Sequence, residues 1–341
     1  MNRHYLVTGG AGFIGSNYVR RLVERGEKVT VYDNLSRGGA PRNLDWLKHS
    51  FGEDAFDVIV GDIRDASRIQ EAARAADVIV HLAGQVAVTT SVNDPRDDFE
   101  SNALGTFNVL EAARLSGRDP IFIYSSTNKV YGGMEDVELA EEPTRWRYRD
   151  LLHGCPESQP LDFHSPYGCS KGAGDQYVRD YSRIYGLRSV VFRQSCIYGP
   201  RQFGIEDQGW VAWFMIAAVT GRPMTVYGDG KQVRDILYVD DLLNGYDVAV
   251  EKIDTAAGQV YNMGGGPDNV MSVWAEFGPM LEHLMEEKLE VGRGDWRPGD
   301  QRVFYADIRK VERGLGWKPK VGVQEGIERL FNWVKENKDL F

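Results

Sequence analysis

The 341-residue chain is 42% hydrophobic and 26% charged, an ordinary globular composition with enough apolar residues for one large core or two lobes. Its formal net charge of −10 gives no basic surface, so the composition excludes nucleic acid as the expected partner. Cys155, Cys169 and Cys196 form no C-x-x-C pair and no metal-ligand spacing, which indicates reduced thiols in a cytoplasmic protein without a metal centre. No apolar run has the length of a membrane span or the form of a signal peptide.

The N-terminal segment has the order of a dinucleotide-binding unit. An apolar strand is predicted for residues 4–7, a glycine-rich turn for 8–15, a helix for 16–25 and a second strand for 28–32. A glycine triplet alone would be a weak signal. The complete order of strand, turn, helix and strand predicts a nucleotide cofactor here.

Three glycines of that turn have the spacing that a bound pyrophosphate requires. Gly9 allows a tight turn, Gly12 lets the backbone approach the phosphates, and Gly15 lets the helix pack closely on the strand. Phe13 and Ile14 lie in the same turn and are further cofactor-binding candidates, and the N-terminus of the helix that follows offers free N–H donors and a dipole end that favour an anion.

Asp33 ends the second strand and indicates which dinucleotide is bound. Its carboxylate would accept hydrogen bonds from the adenosine ribose and would repel a 2′-phosphate, which favours NAD over NADP. Arg37 is the counter-signal, since a guanidinium could neutralise such a phosphate. Because Asp33 stands at the strand end itself, we predict NAD, with Asn34, Ser36 and Arg37 lining its adenosine end.

The alternation of strands and helices continues and predicts an α/β fold. Further apolar strands are predicted at 56–60, 78–82, 121–124 and 189–192, and a long helix is predicted from Asp94 to Ser116. This pattern is typical of a Rossmann-type doubly wound parallel sheet, here with a smaller C-terminal α/β lobe that binds the substrate.

The expected domain boundaries follow from that pattern. We assign residues 1–192 and about 236–259 to an NAD-binding domain, and about 193–235 and 260–341 to a nucleotide-sugar-binding lobe. Segment 133–164 is too long and polar for an ordinary connection. Because it leads directly to the helix discussed next, we expect it to form a loop over the sugar.

Residues that follow strands are further candidates for the cofactor site, because ligands of open α/β sheets bind beyond the carboxyl ends of the strands. Asp62 would reach the adenine and Ile63 would pack on its ring, although Asp62 equally suits a helix cap. Ala83 and Gly84 are small enough to let the cofactor pass, and His81 is interpreted as a core histidine. The remaining candidates near the cofactor are Leu82, Gln85, Asn102, Ser125, Gln194 and Cys196.

Tyr167 and Lys171 are the candidate catalytic pair. They lie four residues apart in a helix predicted from Ser165 through Asp180, so they share one helix face. A neighbouring ammonium favours the phenolate, so Tyr167 could take a proton from a substrate hydroxyl near neutral pH. Thr127 closes a hydroxyl run at the end of the fifth strand, where it could hold the same oxygen. Taken alone, the pair also fits a solvated helix face, and Thr127 also fits a turn.

The glycine turn, the hydroxyl run and the Tyr-x-x-x-Lys pair occur in this order over essentially the whole chain. In this the sequence resembles the extended short-chain dehydrogenase/reductase superfamily. The resemblance implies a triad in which Tyr167 is the base, Lys171 lowers the pKa of Tyr167 and holds the nicotinamide ribose, and Thr127 steadies the hydroxyl. It also implies that backbone around Gln194 and Cys196 meets the nicotinamide amide.

Longer strings resemble the NAD-dependent epimerase/dehydratase family and, within it, the CDP-paratose 2-epimerases, also called CDP-tyvelose 2-epimerases. The strings that carry this likeness are 33–37, 81–87, 125–132, 161–172, 201–203, 207–211, 230–235 and 300–304. The resemblance implies epimerisation of CDP-paratose to CDP-tyvelose at C2, through a transient 2-keto sugar and with retained NAD. The residues leave open a CDP-glucose 2-epimerase, a UDP-sugar 4-epimerase with the same triad, and a non-catalytic NAD-sensing protein.

Two further expectations rest on this resemblance. Asn128 and Lys129 follow Thr127 where sugar-nucleotide 4,6-dehydratases carry Asp-Glu, so dehydration is disfavoured. Close relatives pair two long helices from each subunit, which implies a dimer core made of 94–116 and 166–185. A homodimer and a homotetramer are both compatible with this.

The substrate is expected to lie against polar, aromatic and cationic residues. Arg234 and Arg302 suit the diphosphate, because a guanidinium donates two parallel hydrogen bonds to phosphate oxygens. Ion pairs with the adjacent Asp235 and Asp300 are the rival interpretation, and core packing is the rival for the aromatic residues. The predicted substrate-binding residues are Gln85, Thr127, Asn128, Gln202, Phe203, Gln208, Trp210, Arg234, Asn262 and Arg302.

Overall fold

A computed structural model describes residues 2–297 and 300–341. The strands are β1 (His4–Thr8), β2 (Lys28–Asp33), β3 (Asp57–Val60), β4 (Val78–His81), β5 (Ile121–Thr127), β6 (Leu139–Glu141), β7 (Trp146–Tyr148), β8 (Ser189–Gln194), β9 (Cys196–Tyr198), β10 (Thr225–Tyr227), β11 (Val233–Tyr238), β12 (Val260–Met263), β13 (Val270–Ser272), β14 (Gly292–Gly294) and β15 (Val303–Phe304). The helices are α1 (Phe13–Glu24), α2 (Ala40–Phe51), α3 (Ala66–Ala73), α4 (Val88–Asn93), α5 (Pro95–Phe99), α6 (Gly105–Leu115), α7 (Ser165–Tyr185), α8 (Trp210–Thr220), α9 (Val239–Glu251), α10 (Ile253–Ala256), α11 (Phe277–Met285), α12 (Arg309–Leu315) and α13 (Val323–Glu336).

Seven strands form one parallel sheet in the order β12-β8-β5-β4-β1-β2-β3. Alternating side chains of β1 explain why helices cover both faces. Tyr5 and Val7 belong to the core shared with α1, whereas Leu6 belongs to the core shared with α6 and α7. The chain winds outward from β1 in both directions, which confirms the predicted doubly wound Rossmann-type sheet.

Parallel pairing brings the carboxyl ends of the strands to one edge. Thr127 at the end of β5 is paired with Gln194 at the end of β8, and Thr8 is paired with His81. A ligand at this edge can therefore meet residues from strands that are far apart in sequence.

The second lobe is built on smaller sheets. Strand β11 pairs with β13, β15 and β9, while β10 pairs with β14. Strand β12 (Val260–Met263) belongs to the large sheet, although the sequence analysis placed these residues in the smaller lobe. The physical reason is that β12 pairs with β8 and extends the parallel sheet by one edge strand.

The predicted long helix starts where expected, since the Asp94 carboxylate accepts the N–H of Asp97 at 3.0 Å. Its path contains one turn of π-helix at Glu100–Leu104 between α5 and α6. This wider turn contains Asn102, which is buried. No helix in the described part of the chain combines the length and apolar character needed to cross a membrane.

Segment 133–164 packs against β11 and β15 of the smaller lobe instead of forming the predicted loop over the sugar. Tyr148 donates to the Val303 carbonyl at 3.0 Å, and the Cys155 N–H donates to the Tyr305 carbonyl at 2.8 Å. Apolar side chains of the segment, including Met134, share a buried cluster with β11 and β15. Burial of these side chains is what draws the segment away from the substrate region.

Candidate active site

A cleft of about 400 Å³ opens at the carboxyl edge of the large sheet, between the ends of β5 and β8 and the smaller lobe. Thr127, Tyr167 and Lys171 all line it, so the predicted triad meets in one place. The other predicted residues that line the cleft are Phe13, Ile14, Leu82, Gly84, Gln85, Ser125, Asn128, Gln194, Cys196, Gln202, Gln208, Trp210 and Arg234.

Tyr167 is positioned by the first turn of α7. The Ser165 hydroxyl accepts the N–H of Gly168 at 3.2 Å, and the Tyr167 N–H donates to Ser91 Oγ at 3.1 Å. Tyr167 is 9% exposed and Thr127 is 7% exposed. Both side chains are therefore reachable only through the cleft.

The acidity of Tyr167 differs from the sequence-based expectation. Burial raises the pKa of Tyr167 to about 12, although hydrogen bonding with Thr127 acts in the opposite direction. The nearby cation that lowers this pKa is Arg37, not Lys171. Lys171 is not among the groups that shift the pKa of Tyr167 in this arrangement of side chains, so its effect on the phenol stays a prediction.

The reason is the direction of the Lys171 ammonium. Its Nζ donates to the Ser125 carbonyl at 2.6 Å and lies 4.4 Å from the centre of the Tyr124 ring. Burial lowers the pKa of Lys171 to about 8, while Asp175 and Asp98 act to raise it. Lys171 is thus held against the end of β5 by the Ser125 carbonyl and the Tyr124 ring.

The glycine turn has the close contacts that its spacing predicts. Gly9 has a φ of +69°, and a Cβ at Gly15 would lie 2.1 Å from the Gly9 carbonyl oxygen. At Gly12, which precedes α1, no side chain caps the helix. The first N–H groups of α1, at Phe13 and Ile14, therefore face the cleft as free donors, which suits the pyrophosphate of NAD.

Asp33 lies against this turn. Its carboxylate accepts the N–H of Leu35 at 2.8 Å and of Ala11 at 3.1 Å, and burial raises its pKa. It lies outside the cleft lining, at the end of β2, where an adenosine ribose would reach it. Arg37 is also beyond the lining and bonds to Gln208 across the cleft.

The outer end of the predicted cofactor site is a polar network. Asn34 donates to Asp62 at 3.0 Å, and its own carbonyl oxygen accepts the Ser36 N–H at 3.1 Å. Arg64 donates to Asp62 at 2.7 Å and holds the pKa of that carboxylate at about 2. The alternative of Asp62 as the helix cap is wrong, because Asp65 caps α3.

Ile63 and His81, which follow or end strands of the large sheet, are core residues. Ile63 is buried against α6, where a Cβ on Gly105 would meet it at 2.5 Å, so its side chain fills the core instead of presenting a free face to adenine. His81 bonds to Thr8 at 2.7 Å and to Thr106 at 3.0 Å. Burial lowers the pKa of His81 to about 3, which confirms the interpretation as a neutral core histidine.

Asn102 holds the backbone of the cleft, as its position suggested. Its amide donates to the Gln85 carbonyl at 3.0 Å, to Asp98 at 3.1 Å and to Ser170 at 3.2 Å. The side-chain oxygen of Asn102 lies beside Gly84. Because Gly84 and the preceding residue, Ala83, are both small, no large side chain covers the backbone of this turn. Asp98 also accepts from Gln85 at 3.0 Å, which ties this turn to α7 through Ser170.

At the predicted nicotinamide end, Gln194 donates to the Tyr246 hydroxyl at 2.5 Å, and Ser125 presents its carbonyl to Lys171. Cys196 lies beside them in the lining. Burial raises the pKa of the Cys196 thiol, although Arg234 and Lys129 act in the opposite direction, so the net shift disfavours a nucleophilic thiolate.

Polar groups without partners lie at the predicted substrate end. Arg234 is buried and donates to Asp300 at 2.6 Å, so its ion-pair partner is Asp300 and not the adjacent Asp235. Within residues 2–297 and 300–341, the Trp210 Nε1–H and the Gln202 Oε1 are buried without a hydrogen-bond partner. Buried polar atoms of this kind at a cleft wall fit a polar ligand.

Three predicted substrate residues lie elsewhere. Phe203 packs against Phe341, with ring centres 5.5 Å apart. Asn262 is fully buried and is satisfied by the Tyr131 hydroxyl at 2.7 Å and the Cys155 carbonyl at 2.8 Å. Both are packing residues, and their assignment to the substrate site is wrong.

Arg302 is the third. Its guanidinium lies over the rings of Trp146, at 5.0 Å, and Trp296, at 5.3 Å, outside the cleft lining. Stacking between two indoles, which attracts a cation to the ring faces, replaces the predicted contact with phosphate.

Two cations that line the cleft, Lys129 and Arg297, were not among the residues predicted from the sequence. Arg297 lies 3.9 Å over the Tyr227 ring and pairs with Asp207 at 3.1 Å. Lys129 lies 3.5 Å from Gln301 Oε1. Lys129 belonged to a string that carried the resemblance, and Arg297 precedes another such string, so both positions contained a usable signal.

The chain resembles proteins of known activity over almost its whole length. The sequence profile of the GDP-mannose 4,6 dehydratase family matches residues 6–330. A CDP-paratose 2-epimerase from Salmonella typhi is 44% identical over 336 residues, which cover 96% of this chain and 98% of that protein.

Solved structures agree with this placement. A UDP-glucose 4-epimerase from Thermus thermophilus in complex with NAD matches with a TM-score of 0.82 and 33% identity, covering 98% of this chain and 99% of that one. A dTDP-glucose 4,6-dehydratase from Streptomyces venezuelae, solved with NAD bound, matches with a TM-score of 0.85 and 29% identity, covering 99% and 98%. The chain therefore belongs to this family of NAD-dependent nucleotide-sugar epimerases and dehydratases, and it is an enzyme of the epimerase type with NAD as its cofactor.

Proposed function

We infer that the protein epimerises a CDP-sugar at C2, converting CDP-paratose to CDP-tyvelose with NAD retained. The observation that carries this proposal is the meeting of Thr127, Tyr167 and Lys171 in one cleft of a chain that is 44% identical to a CDP-paratose 2-epimerase. We assign the cofactor to the glycine turn and strand ends of the large sheet, and the nucleotide sugar to the smaller lobe.

The side chains divide the proton chemistry between them. Tyr167 takes the proton of the C2 hydroxyl while Thr127 holds the same oxygen. When bound, NAD⁺ supplies a hydride acceptor whose positive charge favours the phenolate of Tyr167. Lys171, held by the Ser125 carbonyl, would hold the nicotinamide ribose.

The substrate changes as follows. C2 loses its hydrogen as hydride and its hydroxyl proton to Tyr167, which leaves a 2-keto sugar. The sugar turns within the cleft and regains the hydride on its other face, and Tyr167 returns the proton. The sum is redox-neutral, so no second substrate is consumed. Proton abstraction without oxidation is not available, because C2 of the starting sugar lies next to no carbonyl group.

Incubation of the purified protein with CDP-paratose, without added NAD, tests this reaction. Proton NMR of the anomeric and H2 signals should show a mixture of the paratose and tyvelose forms. The proposal fails if the spectrum stays unchanged both without and with added NAD.

A UDP-sugar 4-epimerase is the second candidate, because UDP-glucose 4-epimerases have the same fold at 31% and 33% identity. The same triad would then act on the C4 hydroxyl. Incubation with UDP-glucose and detection of UDP-galactose decides between the two, and activity on both substrates would indicate a broad cleft.

The partner that we propose is a second copy of this chain. Helices α5, α6 and α7 expose a set of apolar side chains next to one another, and the rings of Phe107 and Tyr177 within it are 5.9 Å apart. The exposed members are Phe99, Leu104, Phe107, Leu115, Tyr177, Ile184 and Tyr185. Pairing these helices with those of a second subunit would remove the set from water.

Sedimentation of an Ile184→Asp variant tests the dimer, since a charge at this 65% exposed position would be buried in the interface. We expect monomers for this variant. A Leu152→Asp variant, at a 66% exposed position in another segment, is the control and should sediment like the original protein. Monomers of the unaltered protein would rule out the interface.

A further inference from the structure

Lys129 lies beside the triad and has a chemical capacity that the proposed reaction does not use. The one-turn helix Asn128–Tyr131 directly follows β5, and the Lys129 N–H donates to Thr127 Oγ1 at 3.2 Å. The same turn therefore carries the Lys129 amine and orients the Thr127 hydroxyl. The side chain is partly buried and lines the cleft.

The ammonium of Lys129 has three N–H donors, but few hydrogen-bond acceptors surround it. Its one hydrogen-bond contact is with Gln301 Oε1 at 3.5 Å, and no carboxylate within residues 2–297 and 300–341 lies within 4.0 Å of it. Gln301 is itself fixed, because its amide nitrogen donates to the Gly132 carbonyl. Its oxygen therefore faces Asn128, at 3.3 Å, and Lys129.

The surrounding charges favour an anion. The charged or titratable groups that act on Lys129 are Arg234, Asp300 and Cys196. Because Asp300 is already paired with Arg234 at 2.6 Å, one positive charge remains uncompensated. Burial is the main cause that lowers the pKa of Lys129 to about 8, and Arg234 acts in the same direction. An anionic ligand would relieve both effects.

The covalent structure of a nucleotide sugar indicates which anionic group would come close to Lys129. C2 is bonded directly to C1, which carries the diphosphate, so the nearer phosphorus is three bonds from C2. The same phosphorus is five bonds from C4 by either path around the ring. A substrate that presents its C2 hydroxyl to Tyr167 therefore brings its inner phosphate next to the triad, whereas one that presents C4 keeps it at the far side of the sugar.

We propose that Lys129 binds the sugar-linked phosphate beside Tyr167 and thereby selects the C2 hydroxyl for oxidation. The substrate class is a nucleoside diphosphate sugar with a free hydroxyl next to its anomeric carbon. This assignment rests on the proposed C2 epimerisation and gives it a physical basis. Arg234, further along the cleft, would then serve the remaining phosphate oxygens.

Binding of CDP and UDP to the NAD-containing protein tests the assignment without turnover. Calorimetric titration near neutral pH should show affinity reduced about ten- to a hundredfold in Lys129→Met, the effect of losing one charge-assisted hydrogen bond. Lys129→Arg retains the positive charge and should bind within a few-fold of the original protein. Circular dichroism and NAD content report whether each variant is folded.

Proton uptake gives a second readout that a merely structural role would not change. At pH about 9 most of the free Lys129 is neutral, so binding of CDP should draw up to one proton from solution in the original protein. Titrations in buffers of different ionisation enthalpy measure that proton. Lys129→Arg should show none from this source, because guanidinium stays charged.

The assignment is overturned if CDP and UDP bind all three proteins within twofold, if Lys129→Met takes up as many protons as the original, or if neither nucleotide binds the original protein. Turnover is scored separately. Absence of CDP-paratose epimerisation together with weakened CDP binding in Lys129→Met would reject the proposed function and leave Lys129 as a phosphate-binding residue. Active protein with unchanged binding in the variant would reject the role of Lys129 alone.

Discussion

The two halves of the cleft differ in what forms their surface, which is mainly backbone in one half and charged side chains in the other. At the cofactor half, the surface is mainly backbone: the Gly9 turn, the first N–H groups of α1 and the strand end at Ser125. At the substrate half, charged side chains from separate segments form the wall, among them Arg234 and Arg297. Backbone positioned by a parallel sheet tolerates little change, whereas a wall of long side chains can be altered one residue at a time. We therefore expect changes in the first half to destroy the site and changes in the second half to retune it.

Tyr167→Phe should have the largest effect of all, because it removes the proposed proton acceptor while keeping the ring that packs in the cleft. We expect turnover of CDP-paratose to fall about a hundred- to ten-thousandfold. The NAD content should stay unchanged. NMR turnover and absorbance of the released cofactor measure the two quantities, and full activity in this variant would end the enzymatic interpretation of the triad.

Gly15→Ala tests the tolerance of the cofactor half. The added Cβ would lie 2.1 Å from the Gly9 carbonyl oxygen, so the turn must shift. We expect loss of bound NAD and a decrease of about 1–3 kcal/mol in the free energy of unfolding. Gly322→Ala, where no atom lies within 4 Å, is the matched control and should keep its NAD. Equal NAD content in both variants would contradict the comparison of the two halves.

Arg234→Gln and Arg302→Gln form a matched pair for the substrate half. Arg234 lines the cleft, so its loss should raise KM about ten- to a hundredfold. Arg302 stacks between two tryptophans, so its loss should leave KM within about twofold and lower the free energy of unfolding by about 1 kcal/mol. Steady-state kinetics and urea unfolding measure both. The reverse order of KM values would restore Arg302 as the phosphate ligand.

The smallest effect is expected for His81→Gln, which tests how the free energy of unfolding depends on pH in the core next to the cofactor half. The pKa of His81 is lowered to about 3 in the folded protein, whereas in the unfolded chain this residue protonates near its ordinary value of 6.5. The unfolded state thus binds more protons as the pH falls below 6.5, and stability is lost by up to about 1.4 kcal/mol per pH unit. Urea unfolding between pH about 7 and about 5 should show a shallower slope for His81→Gln. His49→Gln, the same substitution at an exposed position, is the matched control.

Local pattern was enough to predict residues whose position follows from the sheet itself. Thr127 and Gln194 are neighbours because parallel strands lie side by side and run in the same direction, so their carboxyl ends meet. A hydroxyl or amide at a predicted strand end therefore falls at the ligand edge. The glycine turn and Asp33 follow the same logic.

Other residues could not be placed in this way. Asn262 and Phe203 have the polar or aromatic character expected of ligand contacts, but Asn262 is buried on β12 and Phe203 packs against Phe341, so both have other partners. Segment 133–164 is polar on average, yet its few apolar side chains decide its course by joining the cluster around β11 and β15. The choice between solvent, ligand and core depends on neighbours that are distant in sequence.

By itself the sequence predicted the doubly wound fold, the cofactor turn and the three candidate residues of the triad, because the succession of strands and helices along the chain and the periodicity within each are local properties. The direction of the Lys171 ammonium, the pairing of Arg234 with Asp300 and the exposure of Lys129 to the cleft were decided only by the tertiary structure. Each of these depends on how burial and charge from several segments combine at one point, and such sums of interactions cannot be read from residue spacing.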